Sequence, residues 1–341
     1  MQEIRVGVIG AGANTVAHHI PNLQAMPGVT VAAVCNRSRE SSAQVAERFG
    51  IPQIYERWQE LATAPELDAV VIGTWPYMHS PATLAALAAG KHVLCEARMA
   101  MNLAEARAMR DAARARPELV AQLVPAPHTL AVDASVRRLL AEGYLGELLA
   151  IGVRDGSRFL DRASPIHWRQ DTDLSGYNML SLGIWYEALM RWAGEATRVQ
   201  ALGKVFVKQR RDEAGGLRAV RVPEHLDVLA DLACGAQAHI QVSAVTGHAG
   251  PAEARLYGSE GSLRISEGQL WGARRDDQEL APIAIPETER GGWRVEAEFV
   301  GAIRREEQVR FTTFDTGVKY MAFTEAVAQS LASGAAVPVA L

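Results

Sequence analysis

The chain has 341 residues, too many for one ordinary hydrophobic core, so about two domains are expected. With 48% hydrophobic and 22% charged residues and a net charge of -4, it has the balance of a soluble globular protein and no broad basic footprint, which argues against nucleic acid or an anionic membrane as partner. No apolar run approaches the ~20 residues that span a bilayer, no charged-then-apolar leader precedes the first strand, and Cys35, Cys95 and Cys234 are odd in number and far apart, so the expected compartment is the reduced cytoplasm.

Ile4, Val6, Val8 and Ile9 form a short apolar run that fits a parallel strand buried on both faces. It empties into Gly10-Ala11-Gly12, and a helical pattern opens at Ala13 and Asn14. Glycine at 10 permits a tight turn, and glycine at 12 lets backbone approach a diphosphate at the start of that helix. Thr15 replaces the third glycine of the G-x-G-x-x-G fingerprint, at a position that serves helix–strand packing more than phosphate contact. A strand before the turn and a helix after it favour a dinucleotide site over a plain turn.

A helix then runs to Met26, and Val29 to Cys35 is the second strand. Asn36 lies 24 residues beyond Gly12, near the distance where an acidic residue would grip the adenosine ribose. Asn36 does not repel a 2′-phosphate, Arg37 can pair with one and Ser38 can hydrogen-bond it, which tips the choice toward NADP(H), with NAD(H) as the alternative. Further strands are expected at Gln53 to Tyr55, Ala69 to Thr74, His92 to Glu96 and Val120 to Val124. Between them, Ser80-Pro81 reads as a helix start and Asn102 with Glu105 as a capping box. The alternation predicts a doubly wound parallel Rossmann sheet over residues 1–124, with ligands at the carboxyl ends of its strands.

Beyond Pro125 the rhythm changes. One helix is expected from Val132 to Glu142 and another from Ser175 to Trp192. Long alternating segments follow at Val199 to Val207, Leu226 to Cys234, Ala238 to Ala244 and Ala254 to Ile265, and a last helix spans Gly317 to Leu331. Period-two alternation in Ala238-His-Ile-Gln-Val-Ser-Ala244 marks a sheet with one face packed. Residues 125–341 therefore read as an α+β domain with an oligomerisation surface. Its open, mostly antiparallel sheet would carry helices on one face, the other being covered by a partner subunit in a homodimer or homotetramer.

The chain resembles the glucose–fructose oxidoreductase/inositol dehydrogenase/MocA (Gfo/Idh/MocA) family over nearly its whole length. The likeness rests on the glycine turn, Thr74 to Pro81 with its His-x-Pro, Ala89 to Glu96, Gly143-Tyr144-Leu145-Gly146-Glu147, His167-Trp168-Arg169, Tyr257 to Leu263 and the C-terminal helix. It implies an NAD(P)-dependent oxidoreductase acting on a sugar, cyclitol or sugar derivative, the substrate lying on the second-domain sheet over the nicotinamide. Thr74, Trp75, His79 and Glu96 would join Gly10, Gly12, Ala13, Asn14, Asn36, Arg37 and Ser38 around the cofactor, and Trp168 and Arg169 would meet the substrate.

The departures bear on chemistry. Where the family usually carries Glu-Lys-Pro, this chain has Glu96-Ala97-Arg98. Where it usually carries an aspartate and a histidine on the pocket helix, this chain has Ser181 and Trp185. On a continuous helix, Asn178, Ser181 and Trp185 share one face, offering hydrogen bonds and a flat platform to a sugar ring but no group that titrates near neutrality. His167 and Tyr177 are the candidates for the hydroxyl proton and Arg98 for electrostatic stabilisation, since an arginine stays charged. Two other functions fit the same residues: a lyase or glycosidase using nicotinamide transiently, and a non-catalytic sugar or dinucleotide sensor. No metal constellation is expected; His18 and His19, adjacent on one helix, point apart.

Overall fold

The computed structural model describes residues 3–340. The chain divides into two compact units. One takes everything up to Pro125 together with Arg294–Val318; the other takes Ala126–Trp293 and the chain from Lys319 onward. The return of 294–318 to the first unit is absent from a linear reading that breaks once, after residue 124.

In the first unit, six strands form one sheet: β1 (Ile4–Ile9), β2 (Val29–Cys35), β3 (Gln53–Ile54), β4 (Ala69–Ile72), β5 (His92–Cys95) and β6 (Ala121–Leu123). The order is β3-β2-β1-β4-β5-β6 and every pairing is parallel, as the alternation predicts. Strand order reverses between β1 and β4, so their carboxyl ends flank the crevice where ligands bind in such sheets. Ile4, Val6, Val8 and Ile72 are fully buried, the pattern of strands covered on both faces.

Two local expectations are corrected. The helix after β1 opens as a π-helical turn, Thr15–His19, before the α-helix Ile20–Gln24. Pro21, which has no N–H to donate, sits at the junction. The next correction is at Ser80-Pro81, which lies inside a helix that starts earlier, Pro76–Ala88. Pro76 is the first-turn proline there and Trp75 the flanking residue. The helix Val295–Ile303 had no counterpart in the sequence reading. It is buried nearly all round, so it shows little amphipathic period.

In the second unit, nine strands form a mixed sheet. They are β7 (Leu148–Asp155), β8 (Ala196–Lys204), β11 (His225–Leu232), β12 (Gln237–Ser243), β13 (Glu253–Gly258), β14 (Gly261–Ser266), β15 (Gln269–Arg274), β16 (Ala281–Pro282) and β17 (Val337–Pro338). The short hairpin β9 (Gln209–Arg211) and β10 (Leu217–Ala219) stands apart. Among the nine, only β7 and β12 pair in parallel, so the sheet is mostly antiparallel as expected. The expected segment Ala254 to Ile265 is a hairpin, β13 and β14, turning at Ser259-Glu260.

Along β11 and β12 the residues alternate strictly. Leu226, Val228, Ile240 and Val242 are fully buried, while Leu229 and His239 face away. On the buried side, the helices Leu182–Ala193 and Phe314–Ser333 meet through a parallel stack of Tyr186 on Phe323, ring centres 3.6 Å apart. The Tyr186 hydroxyl accepts a hydrogen bond from Ala196 N of β8 (2.8 Å), and the Ser330 hydroxyl accepts one from Ala201 N (2.9 Å).

The expected helix from Ser175 to Trp192 is two pieces, Thr172–Ser175 and Leu182–Ala193. Gly176 and Leu180 between them take left-handed φ values of 63° and 46°, which no α-helix passes through. Asn178 therefore does not share a helix face with Ser181 and Trp185.

Candidate active site

The turn after β1 is built by close approach. Gly10 has φ +80°, and a Cβ there would overlap the Thr74 side chain at the end of β4. A Cβ on Gly12 would stand 3.1 Å from the Gly73 carbonyl oxygen. Thr15, where the fingerprint has its third glycine, is accommodated because the residue opposite is Gly73: the side chain has moved from one partner of the contact to the other. The helix start at Ala13 and Asn14 has no side-chain cap, since the Asn14 amide donates to Glu96 at the end of β5. Beside it the Thr74 hydroxyl oxygen is buried and finds no hydrogen-bond partner among the described residues.

Asn36, at the end of β2, reaches back to the turn. Its Oδ1 accepts from Ala11 N (2.7 Å) and its Nδ2 donates to the Ser41 carbonyl (3.1 Å). Ser38 caps the helix Arg39–Phe49, its Oγ accepting from Ser41 N. Arg39 is paired with Glu56, whereas Arg37 is exposed and makes no ion pair or hydrogen bond among the described residues. His79 is fully buried between the carbonyl oxygens of Thr74 and Arg98, each 2.9 Å from a ring nitrogen, and burial holds its pKa below the ordinary histidine value against those two acceptors.

Glu96 belongs to a network that the sequence reading missed. The buried His19 ring lies between two carboxylates, with Nε2 3.1 Å from Glu96 Oε1 and Nδ1 2.5 Å from Glu296 Oε1. Burial opposes the ring's charge, but the hydrogen bonds and charges of Glu296 and Glu96 outweigh it and push the His19 pKa up to about 9. Both carboxyls are held below the usual range, because the bonds and charge of His19 overcome their own burial. Asn22 completes the cluster by donating to Glu296 Oε2 (2.9 Å). The adjacency of His18 and His19 hid this, since it was weighed only as a metal pair. Among the described residues no group of His, Cys, Asp and Glu could hold a metal ion.

A crevice-facing glycine turn, an uncapped helix start and an orphaned threonine hydroxyl fit the diphosphate of a dinucleotide.

In the second unit, Asp155 ends β7. Its Oδ2 accepts from the Ser181 hydroxyl (2.5 Å) and from the Trp185 indole N–H (2.9 Å). So the structure does bring Ser181 and Trp185 together, around a carboxylate that the sequence reading did not single out. The signal for it is slight: an acidic residue between an alternating strand and Gly156. Trp185 is 2% exposed, and the His128 ring packs against it with centroids 5.4 Å apart.

The remaining candidates are dispersed. Asn178 is buried in the turn, donating to the Ser175 carbonyl (2.7 Å). His167 caps the 3-10 turn Trp168–Gln170, its Nδ1 accepting from Arg169 N (3.3 Å). Partial burial and the charges of Arg169 and Arg158 hold its pKa below the ordinary value, so the ring is neutral at neutral pH. The Arg169 guanidinium lies 4.1 Å over the Trp168 ring, Tyr177 is exposed, and Arg98 is 3% exposed in the first unit. Glu187 is a structural acid, accepting from Ala126 N (3.1 Å) and paired with Arg191.

A doubly wound parallel sheet with this glycine turn, followed by a unit built on an open mixed sheet, defines the class of two-unit dinucleotide-binding chains. Comparison with known proteins narrows it. Residues 4–122 match the family model described as "Oxidoreductase family, NAD-binding Rossmann fold", and residues 134–264 match the GFO/IDH/MocA C-terminal domain. A trans-1,2-dihydrobenzene-1,2-diol dehydrogenase from Oryctolagus cuniculus is 33% identical over 54% of this chain and 56% of its own length, so the match spans little more than half of that relative. A levoglucosan dehydrogenase from Pseudarthrobacter phenanthrenivorans is 26% identical over 86% of this chain and 80% of its own. Two solved structures share the fold at full length: an oxidoreductase domain protein from Kribbella flavida (TM-score 0.86, 22% identity, 100% of both chains) and a levoglucosan dehydrogenase in complex with NADH and L-sorbose (TM-score 0.85, 21% identity, 99% of both chains). The chain belongs to the Gfo/Idh/MocA family.

Proposed function

We propose that this protein is an NAD(P)-dependent dehydrogenase that moves a hydride between nicotinamide C4 and a ring carbon of a sugar, cyclitol or sugar derivative. The observation that carries the reading is the cradle of Gly10, Gly12 and the unpartnered Thr74 hydroxyl at the carboxyl ends of β1 and β4. Relatives named as dehydrogenases of a diol and of an anhydrosugar support the substrate class. The cofactor, when bound, supplies the hydride acceptor or donor. The chain holds its diphosphate on the helix start at Ala13 and Asn14, and Glu96 is fixed beside that start through Asn14.

NADP(H) is the favoured cofactor. Asn36 spends its side chain on the turn and on Ser41 without presenting a negative charge, and the neighbouring Arg37 is uncommitted. A 2′-phosphate would meet a cation there and no carboxylate. His167, Tyr177 and Arg98 remain candidates around the reacting hydroxyl, with Trp168 and Arg169 toward the substrate. The outward sheet face exposes Leu202, Leu229 and Tyr257, which supports association of copies of this chain through that face.

The test is reduction of NADP+ or NAD+ with levoglucosan, L-sorbose, myo-inositol and trans-1,2-cyclohexanediol. Growth of the reduced-nicotinamide absorbance is expected with at least one. Cofactor binding with no absorbance change across the panel would reject the dehydrogenase, and consumption of substrate without net reduction would point to lyase chemistry.

A further inference from the structure

In the first unit, one carboxylate gathers the start and the body of the helix that leaves the glycine turn. Glu96 Oε1 accepts from the Asn14 side-chain amide and lies 3.1 Å from His19 Nε2, while Oε2 accepts from Ala97 N (3.1 Å). Asn14 and His19 are five residues apart, and on an α-helix such residues point about 140° away from each other. Here the turn Thr15–His19 is π-helical, closed by Ile20 N donating to the Thr15 carbonyl. A turn of that width brings residue i+5 back to the face of residue i, so the irregular turn lets both side chains reach Glu96.

Glu296, on the helix Val295–Ile303, grips the same segment one step further along. Its Oε1 meets His19 Nδ1 (2.5 Å) and its Oε2 accepts from Asn22 Nδ2 (2.9 Å). A neutral imidazole has one N–H, so only the imidazolium donates to both glutamates at once. Loss of its proton sets a nitrogen lone pair against a carboxylate oxygen and leaves two uncompensated negative charges at a helix start that receives an anion. The other titratable groups that feel Glu96 stay neutral meanwhile: burial holds the His79 pKa down and pushes the Cys95 thiol up.

We propose that His19 and Glu296 are positioning residues of the cofactor site: through Glu96 they set the Asn14 side chain and the helix start that holds the diphosphate. The inference rests on the dinucleotide reading above. It makes cofactor affinity depend on the His19 proton, falling as the ring is deprotonated.

The test is fluorescence titration of the whole protein with NADPH and NADH from pH 7 to 10, melting curves at each pH showing that the protein is folded. NADH carries no 2′-phosphate, so its own charge is constant over the range. Wild-type affinity is expected to hold to about pH 8 and to fall at least about fivefold by pH 10, centred near the His19 value of about 9. Glu296→Gln removes one of the two charges that hold the proton on the ring, so the decline should begin about one pH unit lower. His19→Gln should bind at least about threefold more weakly at pH 7 and lose the alkaline decline. Glu298→Gln is the control, a buried change on the same helix bonded to Gln122 at the β6 edge. It should melt lower and keep the wild-type affinity and pH profile.

Wild-type affinity that stays level from pH 7 to 10 overturns the positioning role alone. So does a folded Glu296→Gln protein with the wild-type midpoint, or a Glu298→Gln protein that moves the midpoint as far as Glu296→Gln does. A wild-type protein that binds neither cofactor overturns the dinucleotide reading and this inference with it.

Discussion

His19 and Glu296 lie 277 positions apart in sequence and 2.5 Å apart in the first unit, where a buried imidazolium bridges the carboxylates of Glu296 and Glu96. The pairing ties the returning segment Arg294–Val318 to the helix that leaves the glycine turn.

Its pH signature follows from signs. The folded pKa of His19, about 9, lies above its ordinary 6.5, so its stabilisation is complete below about pH 6.5 and is lost as pH rises through about 9. The two glutamates are shifted down from 4.5, so theirs is present above that value and lost as pH falls through the lowered pKa values. Thermal unfolding should show a plateau between about pH 5 and 6.5 and an alkaline decline on the order of 3 kcal/mol by pH 9. His19→Gln should be less stable at pH 6 and lack most of that slope. A wild-type profile flat from pH 6 to 9 would contradict the bridged imidazolium.

Cofactor choice should turn on Asn36 and Arg37. Asn36→Asp keeps an acceptor for Ala11 N and places a negative charge where a 2′-phosphate would lie. Fluorescence titration should show NADP(H) affinity falling at least about tenfold with NAD(H) affinity retained. Arg37→Ala should weaken NADP(H) alone. Equal loss for both cofactors would argue against this placement.

Gly73→Ala probes the exchanged contact with Thr15. The new Cβ would overlap both Thr15 Oγ1 and the Gly10 carbonyl, so a loss of about 1–3 kcal/mol in denaturant unfolding is expected, together with weaker cofactor binding. Adding Thr15→Ala should rescue only part of it, because the Gly10 backbone remains in the way. Full rescue would mean that the threonine alone closes the space.

Arg210 and Glu224 form a buried pair in the second unit (2.7 Å), and Arg210 Nη1 also donates to the carbonyls of Asp161 and Ser164, upstream of His167. Arg210→Met strands the Glu224 charge and should cost about 3–5 kcal/mol. Glu224→Gln keeps acceptance from Phe206 N and Val207 N and should cost less. Equal losses would mean that the charge matters little there.

What the sequence made legible was periodic and local. Ile4 to Ile9, the glycine turn and the alternating β11 and β12 announce themselves within a few residues, and strand order follows from the crossover rules. The break at Gly176 and Leu180 did not, because apolar spacing continued across it and nothing in a leucine announces a left-handed φ. Asp155 was invisible for another reason: its partners are 26 and 30 positions away, on an element whose start was itself misplaced. The same holds for His19, whose meaning is set by Glu296.

The residues at 294–318 make the dinucleotide-binding half a discontinuous piece of chain. Exchange of this half between relatives by a single splice after Pro125 would carry Glu96 and His19 but leave Glu296 behind, together with Glu298, whose carboxylate accepts from Gln122 of β6 (3.2 Å). A chimera that respects this topology needs both ends of the inserted segment moved as one cassette.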